Sequence, residues 1–297
     1  MTTTTTTTRP APDFVTTDRA VRSILSDNTK LRKLPDGSAV INAGVTMAPA
    51  KRSGVFNVCP HATAGCIAAC VLWFAGRTVT AVVRAAAVAR TKLWYFYPDR
   101  FYDRLDRSLR SLAKRAAKLH ARAFCRLNVA SDIDHPRSVM ERHPAITFYD
   151  YTKSVDRCLA YANGELAPNY HLSYSLNENT TAADLAIMVI SSVNVIVVFD
   201  SYYFGPRHRY GVLPARVEFR NADGVTLFDL PVVDGDAHDL RTPEHDGRGV
   251  VVGLRLKGGT VAKARAIASG FARHFAGGRV WHTDTLVREG VAVVTLK

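Results

Sequence analysis

At 297 residues, with 47% hydrophobic and 22% charged side chains, the chain has ordinary globular composition and enough length for one large α/β domain or two small ones, which excludes a fibrous or wholly disordered protein. Its strongest apolar run, Val193 to Phe199, is far shorter than the roughly 20 residues that cross a bilayer, and the start lacks an apolar signal core, so the expectation is a soluble cytoplasmic protein with no membrane contact. Five cysteines, three of them within twelve residues, argue against a disulfide framework and for metal ligation in a reducing compartment, and a net charge of +13 points toward polyanionic partners.

Residues 1–16 hold a seven-Thr run, Arg9, Pro10 and Pro12, which cannot bury enough apolar surface to offset their ordering, so they read as a disordered tail ahead of a single α/β domain over 17–297. Three thiols follow in the segment Cys59–Cys70. After Pro98 and Asp99, the spacing of Phe101, Leu105, Leu109, Leu112 and Leu119 predicts an amphipathic helix with Arg104, Arg107, Lys114 and Lys118 on its other sides. Between Arg77 and Arg122 there are 12 Lys or Arg against Asp99, Asp103 and Asp106, a local +9. This basic helix, residues 100–122, is the expected contact for nucleic acid or another polyanion; the plainer reading is a solvated helix face.

Short β-like runs then recur at Phe124–Ala130, Ile146–Tyr151, Tyr170–Leu176 and Val193–Phe199, with room for a helix in each gap. In the last gap Thr181 and Asp184 form a capping box ahead of Leu185, Ile187, Met188 and Ile190. Strand and helix in this alternation predict a parallel sheet. Beyond Asp200 the expectation is strands at Arg216–Arg220, Gly249–Leu256 and Val291–Leu296, a helix at Val261–Phe275, and no linker between domains.

Each of the four strands ends in polar residues: Ser131, Asp132 and Asp134; Thr152, Lys153 and Ser154; Asn177 and Glu178; Asp200 and Ser201. Any strand can end so because loops meet water, but α/β barrels and open sheets also build their sites at this carboxyl end. Asp132, Asp134, Lys153 and Glu178 are therefore the catalytic candidates, and Ser131 and Asn177 the candidates to contact a cofactor.

Cys59, Cys66 and Cys70 are separated by six and three residues, with Gly65 available for a tight turn. Three soft donors in one short segment suit an iron–sulfur cluster with one iron left open, whereas structural zinc would want a fourth ligand, which His61 offers. Cys125 and Cys158 lie inside strand and helix patterns and read as buried apolar residues. The run Asp234-Gly235-Asp236-Ala237-His238-Asp239 has the composition of a cation or acid–base site without the spacing of an EF-hand, and equally that of a turn.

Asn28-Thr29-Lys30, then Cys59-Pro60-His61-Ala62-Thr63, then Arg126-Leu127-Asn128-Val129-Ala130-Ser131-Asp132, then Phe148-Tyr149-Asp150-Tyr151-Thr152-Lys153-Ser154 come in an order that resembles the phage "gene product 88" family over roughly residues 28–200. The resemblance implies a relative of the radical S-adenosylmethionine barrels, encoded by a phage or plasmid, with Cys59, Cys66 and Cys70 holding a cluster, 4Fe-4S by type. S-adenosylmethionine is then a companion ligand, and zinc is the alternative to the cluster. Two departures weigh against catalysis: the radical signature has three and two residues between its cysteines, and the family's Ser-Gly-Asp reads Ser131-Asp132-Ile133-Asp134.

The expected fold is thus α/β, a complete or partial parallel (β/α) barrel of radical-SAM-like architecture, with a doubly wound open sheet as the alternative. The expected function is an iron–sulfur protein of unknown substrate; the alternative is a non-catalytic phage or plasmid accessory protein with a structural metal and a basic helix for nucleic acid or a partner. In a barrel the three sulfurs should converge and face Asp132, Lys153 and Glu178 across one pocket.

Overall fold

A computed structural model describes residues 12–27, 31, 32, 34, 35, 37–74, 80–204, 209–279, 281–283 and 288–296. The Thr run expected to be a tail and the motif Asn28-Thr29-Lys30 lie outside the described residues.

Helix α1, Phe14–Ala20, starts inside the segment read as tail, because the Asp13 carboxylate accepts from the Thr16 N–H and caps it. Strands β1 (Leu25–Ser26) and β2 (Val40–Val45) follow, then the thiol segment with short helices α2 (Ala64–Ala68) and α3 (Val71–Phe74). Helix α4 spans Ala81–Phe96 and α5 Pro98–Lys118. Pro98 takes the first turn of α5, where its missing N–H costs nothing. Phe101, Leu105, Leu109, Leu112 and Ala116 form the buried stripe, while Leu119 falls just past the helix and is 53% exposed. The helix is therefore shorter than the expected 100–122, and Arg122 already begins the next strand.

That strand is β3 (Arg122–Arg126), followed by α6 (Arg137–Glu141), β4 (Ile146–Thr152), α7 (Val155–Ala162), β5 (Tyr170–Ser175), α8 (Ala182–Ile190) and β6 (Val195–Phe204). The Thr181–Asp184 capping box is present in both directions. The remainder is β7 (Arg209–Gly211), β8 (Arg216–Arg220), β9 (Thr226–Asp234), α9 (Pro243–Asp246), β10 (Val251–Leu256), α10 (Thr260–Ala268), β11 (Trp281–Thr283) and β12 (Val291–Thr295). Helix α10 ends well before the expected Phe275, since residues 271–275 leave the helix and Arg273 bridges to Phe199 of β6.

The ladder runs β1-β2-β3-β4-β5-β6-β10-β9-β8-β12, with β7 and β11 off this path. Neighbours from β2 to β6 are all parallel, and β10 is parallel to both β6 and β9. The fold is mixed α/β around a mostly parallel sheet. Among the described residues no pairing joins β1 or β2 to β12, so the hydrogen-bonded ladder does not close into a ring. Alternate residues of β3 and β4 serve two cores: Ala123, Cys125, Ile146 and Phe148 pack with Phe101 and Leu105 of α5, while Phe124 and Tyr149 face Leu240 on the other side. Cys125 and Cys158 are core residues, as expected. No helix among the described residues is long and apolar enough to cross a membrane.

Candidate functional site

The thiol segment is stitched over the carboxyl ends of the parallel strands. The Cys59 Sγ receives the Ala50 N–H at 3.3 Å and lies 3.5 Å from the Ala130 carbonyl just beyond β3. The Asp132 N–H donates to the Val58 carbonyl at 2.8 Å, so the loop after β2 and the loop after β3 hold each other. Further along, both oxygens of Glu178, just beyond β5, are engaged by the cysteine segment: the Thr63 hydroxyl donates to one at 2.7 Å and the Gly65 N–H to the other at 2.7 Å. Gly65 lets the two segments approach this closely, since a Cβ there would stand 2.5 Å from Ser269 Oγ and 2.7 Å from Glu178 Oε1 and would push one of those side chains aside. Thr63 also caps α2 by accepting from the Cys66 N–H at 3.3 Å.

Of the other residues expected at the rim, Asp132 accepts from the Lys153 N–H at 2.9 Å and from Arg157 Nη1 at 2.7 Å. Lys153 Nζ donates to Ser175 Oγ at 3.2 Å and stands 5.9 Å from the Phe271 ring centre. Ser131 turns back to Asn128, and the Asn177 side chain accepts from the Asn179 N–H, so both brace their own loops. Asp134 projects into solvent with its carboxylate 3.6 Å from Arg157 Nε. The rim thus gathers Cys59, Asp132, Lys153 and Glu178, but commits both carboxylates to holding the loops together.

Burial pushes the Cys59 thiol up to about 12, and the Cys66, Cys70 and Asp132 charges add to that rise, so the three cysteines share one electrostatic neighbourhood. Their side chains are all half-buried. Among the described residues, however, no three His, Cys, Asp or Glu side chains are grouped to hold a metal ion. Two cavities along described residues, one bounded by α5 and one beside Tyr161 and His171, lie away from the thiols.

Comparison with known families decides the relationship. The family model for gene product 88 matches residues 22–274. The chain belongs to the gene product 88 family. No curated protein and no solved structure matches it. The matched stretch contains every candidate site residue of this gene product 88 chain, from Cys59 to Glu178.

It also contains a polar interior that sequence reasoning missed. In this gene product 88 protein the segment after β9 crosses the face of β3 and β4 opposite α5 and plugs it with ion pairs. Arg241, fully buried, donates to Asp246 at 2.5 Å, to the Tyr151 hydroxyl at 3.1 Å, to the Gly235 carbonyl and to the His238 carbonyl. Asp239 accepts from the Tyr149 hydroxyl at 3.0 Å and lies 3.5 Å from Arg126. Asp234 and Asp236 pair with Arg255, and Asp236 also with Lys257. Lys257 and Arg255 therefore hold Asp236 down at about 2 despite its burial. The run Asp234 to Asp239, whose composition suggested a cation site, is occupied by the protein's own cations. Arg241 meets the run's carbonyls from a few residues away, but its carboxylates find Arg126, Arg255 and Lys257 only through the fold, and no local signal announces those.

Proposed function

We propose that the three clustered cysteines bind a metal centre at the carboxyl-end rim of the sheet, an iron–sulfur cluster before zinc, on a partial barrel of radical-SAM-like kind. What carries this reading is that Cys59 and the segment of Cys66 and Cys70 are fixed by the loops that follow β2, β3 and β5, so that the thiols sit where parallel sheets build their sites. The donor chemistry fits, since three soft sulfurs lie in one electrostatic neighbourhood. The geometry asks for a rearrangement: the sulfurs must draw together, and the Cys59 thiol must lose its proton on loading. A cluster with an open iron would supply a site for a small ligand; Glu178, through Thr63 and Gly65, and the Asp132 N–H, through Val58, would hold the thiol loop, and Lys153, bonded to Ser175, would offer a cation on the same rim.

The alternative function, an accessory protein in which the same thiols hold structural zinc and the basic helix engages nucleic acid or another polyanion, is favoured by the engagement of both rim carboxylates in internal bonds. Anaerobic purification separates the two. A brown protein absorbing near about 400 nm with iron and sulfide in equal amounts, colourless as Cys66→Ser, supports the cluster. One zinc per chain and no colour supports the accessory reading, and neither metal in any preparation overturns the thiol site.

A further inference from the structure

Helix α5 carries a second stripe beside its buried one. Arg100, Arg104, Arg107, Ser111 and Arg115 recur at steps of four, three, four and four, which keeps them on one side of the helix over about 22 Å. The segment Asp18–Asp27, from the end of α1 through β1, runs alongside, and the two enclose an open cleft of about 680 Å³. Arg22 faces the helix stripe from this second wall. Among the described residues five arginines line the cleft against Asp18 and Asp27, a net +3, and no aromatic side chain does.

The five cations are not equivalent. Asp18 binds Arg100 at 3.0 Å and Arg104 at 2.9 Å, which lowers the Asp18 carboxyl and spends both guanidinium groups on docking α1 to α5. Asp27 pairs with Arg32. Arg22, Arg107 and Arg115 are exposed and make no ion pair among the described residues. Exposed guanidinium groups lining one cleft, with Ser111 between two of them on the helix, match the donors that proteins turn to phosphate oxygens. At about 680 Å³ the open cleft has the volume of a small-molecule site, which suits a few linked phosphates of one strand. Without aromatic rings it offers bases nothing to stack on.

We infer that this cleft binds the phosphodiester backbone of single-stranded nucleic acid, without sequence preference, through Arg22, Arg107 and Arg115. The inference deepens the polyanion part of the accessory reading and does not depend on the thiols. Three phosphate contacts imply that binding weakens with salt at a log–log slope of about −2, at about 0.7 per phosphate.

The test is fluorescence anisotropy of the full chain with a labelled 20-nucleotide oligothymidylate at several salt concentrations. The expected result is binding with that slope, weakened at least tenfold and flattened by about 1.4 in Arg22→Glu/Arg115→Glu. The control pair Lys114→Glu/Lys118→Glu makes the same charge change on the same helix outside the cleft and should shift affinity less than threefold. Asp18→Asn, which removes a carboxylate from the cleft and frees Arg100 toward it while Arg104 stays bonded to the backbone carbonyls of residues 18 and 21, should tighten binding several-fold, an outcome that misfolding cannot mimic. If the control pair costs as much as the cleft pair, the helix binds polyanions but the cleft assignment is wrong. If the parent does not bind, both the cleft and the polyanion reading fail. Equal binding of a blunt duplex, or equal competition by polyglutamate, overturns the single-strand assignment.

Discussion

Glu178 ties the cysteine segment to the sheet, and removing it should loosen that segment without unfolding the rest. In Glu178→Ala the Gly65 N–H and the Thr63 hydroxyl both lose an acceptor held at 2.7 Å. A hydrogen bond to a charged group is worth about 1.5–3 kcal/mol, and the half-buried setting and shared carboxylate argue for less than the sum of two, so about 2–3 kcal/mol of local stability should go. At 1.4 kcal/mol per tenfold, that is roughly a 30- to 140-fold rise in the population of the opened segment. Native-state amide exchange reads it directly: Gly65 and Ala69, whose N–H groups bond to Glu178 and to the Gly65 carbonyl, should lose that much protection, while the buried strands β4 and β6 keep theirs. Glu178→Gln retains an acceptor and should fall between. Unchanged exchange at Gly65 in Glu178→Ala would refute the claim that this carboxylate anchors the loop.

Arg241→Met should cost about 3–5 kcal/mol in urea unfolding, because it strands the buried Asp246 carboxylate, and adding Asp246→Asn should recover part of it; a neutral single mutant would mean the plug contributes nothing. Burial keeps His135 neutral down to about 3, against an ordinary 6.5. The unfolded chain therefore takes up its proton first, and this group's stabilising contribution is whole above pH 6.5 and lost as pH falls toward 3, up to about 4 kcal/mol. His135→Gln should flatten the fall in stability measured between pH 7 and 4.5, and an identical pH profile would contradict the assignment.

Local chemistry was readable where it acts locally. Pro98 with Asp99 at the start of α5, the Thr181–Asp184 box and the strand Arg216–Arg220 stand where the sequence pattern puts them, since caps, imino rings and alternation act within a few residues. Strand β2, Val-Ile-Asn-Ala-Gly-Val, escaped notice because both its faces are covered and it shows no alternation. Strand β9 was hidden by Pro231, which the pairing with Arg216 of β8 accommodates. At the site, the cysteines and the polar strand ends were visible as residue types. That Glu178 would be spent on Gly65 and Thr63, or Asp132 on Arg157, was not, because those bonds span 113, 115 and 25 residues and exist only once the sheet has formed.

Strand β10 lies between β6 and β9, parallel to both, yet enters the sheet after either has been made. During synthesis, then, β6 exposes a row of unpaired backbone groups, and β9 a shorter one at Val232–Asp234, until Val251–Leu256 emerges to fill the gap. The gap inside the sheet is filled late, and so is the charge of the interior, because Arg255 on that strand neutralises Asp234 and Asp236. A nascent chain stalled before residue 251 would present two open strand edges flanking a pair of buried-to-be carboxylates, a species prone to pairing with its neighbours. The wide sequence separation of these contacts also marks the protein as a slow folder, whose most vulnerable moment comes with most of its length already translated.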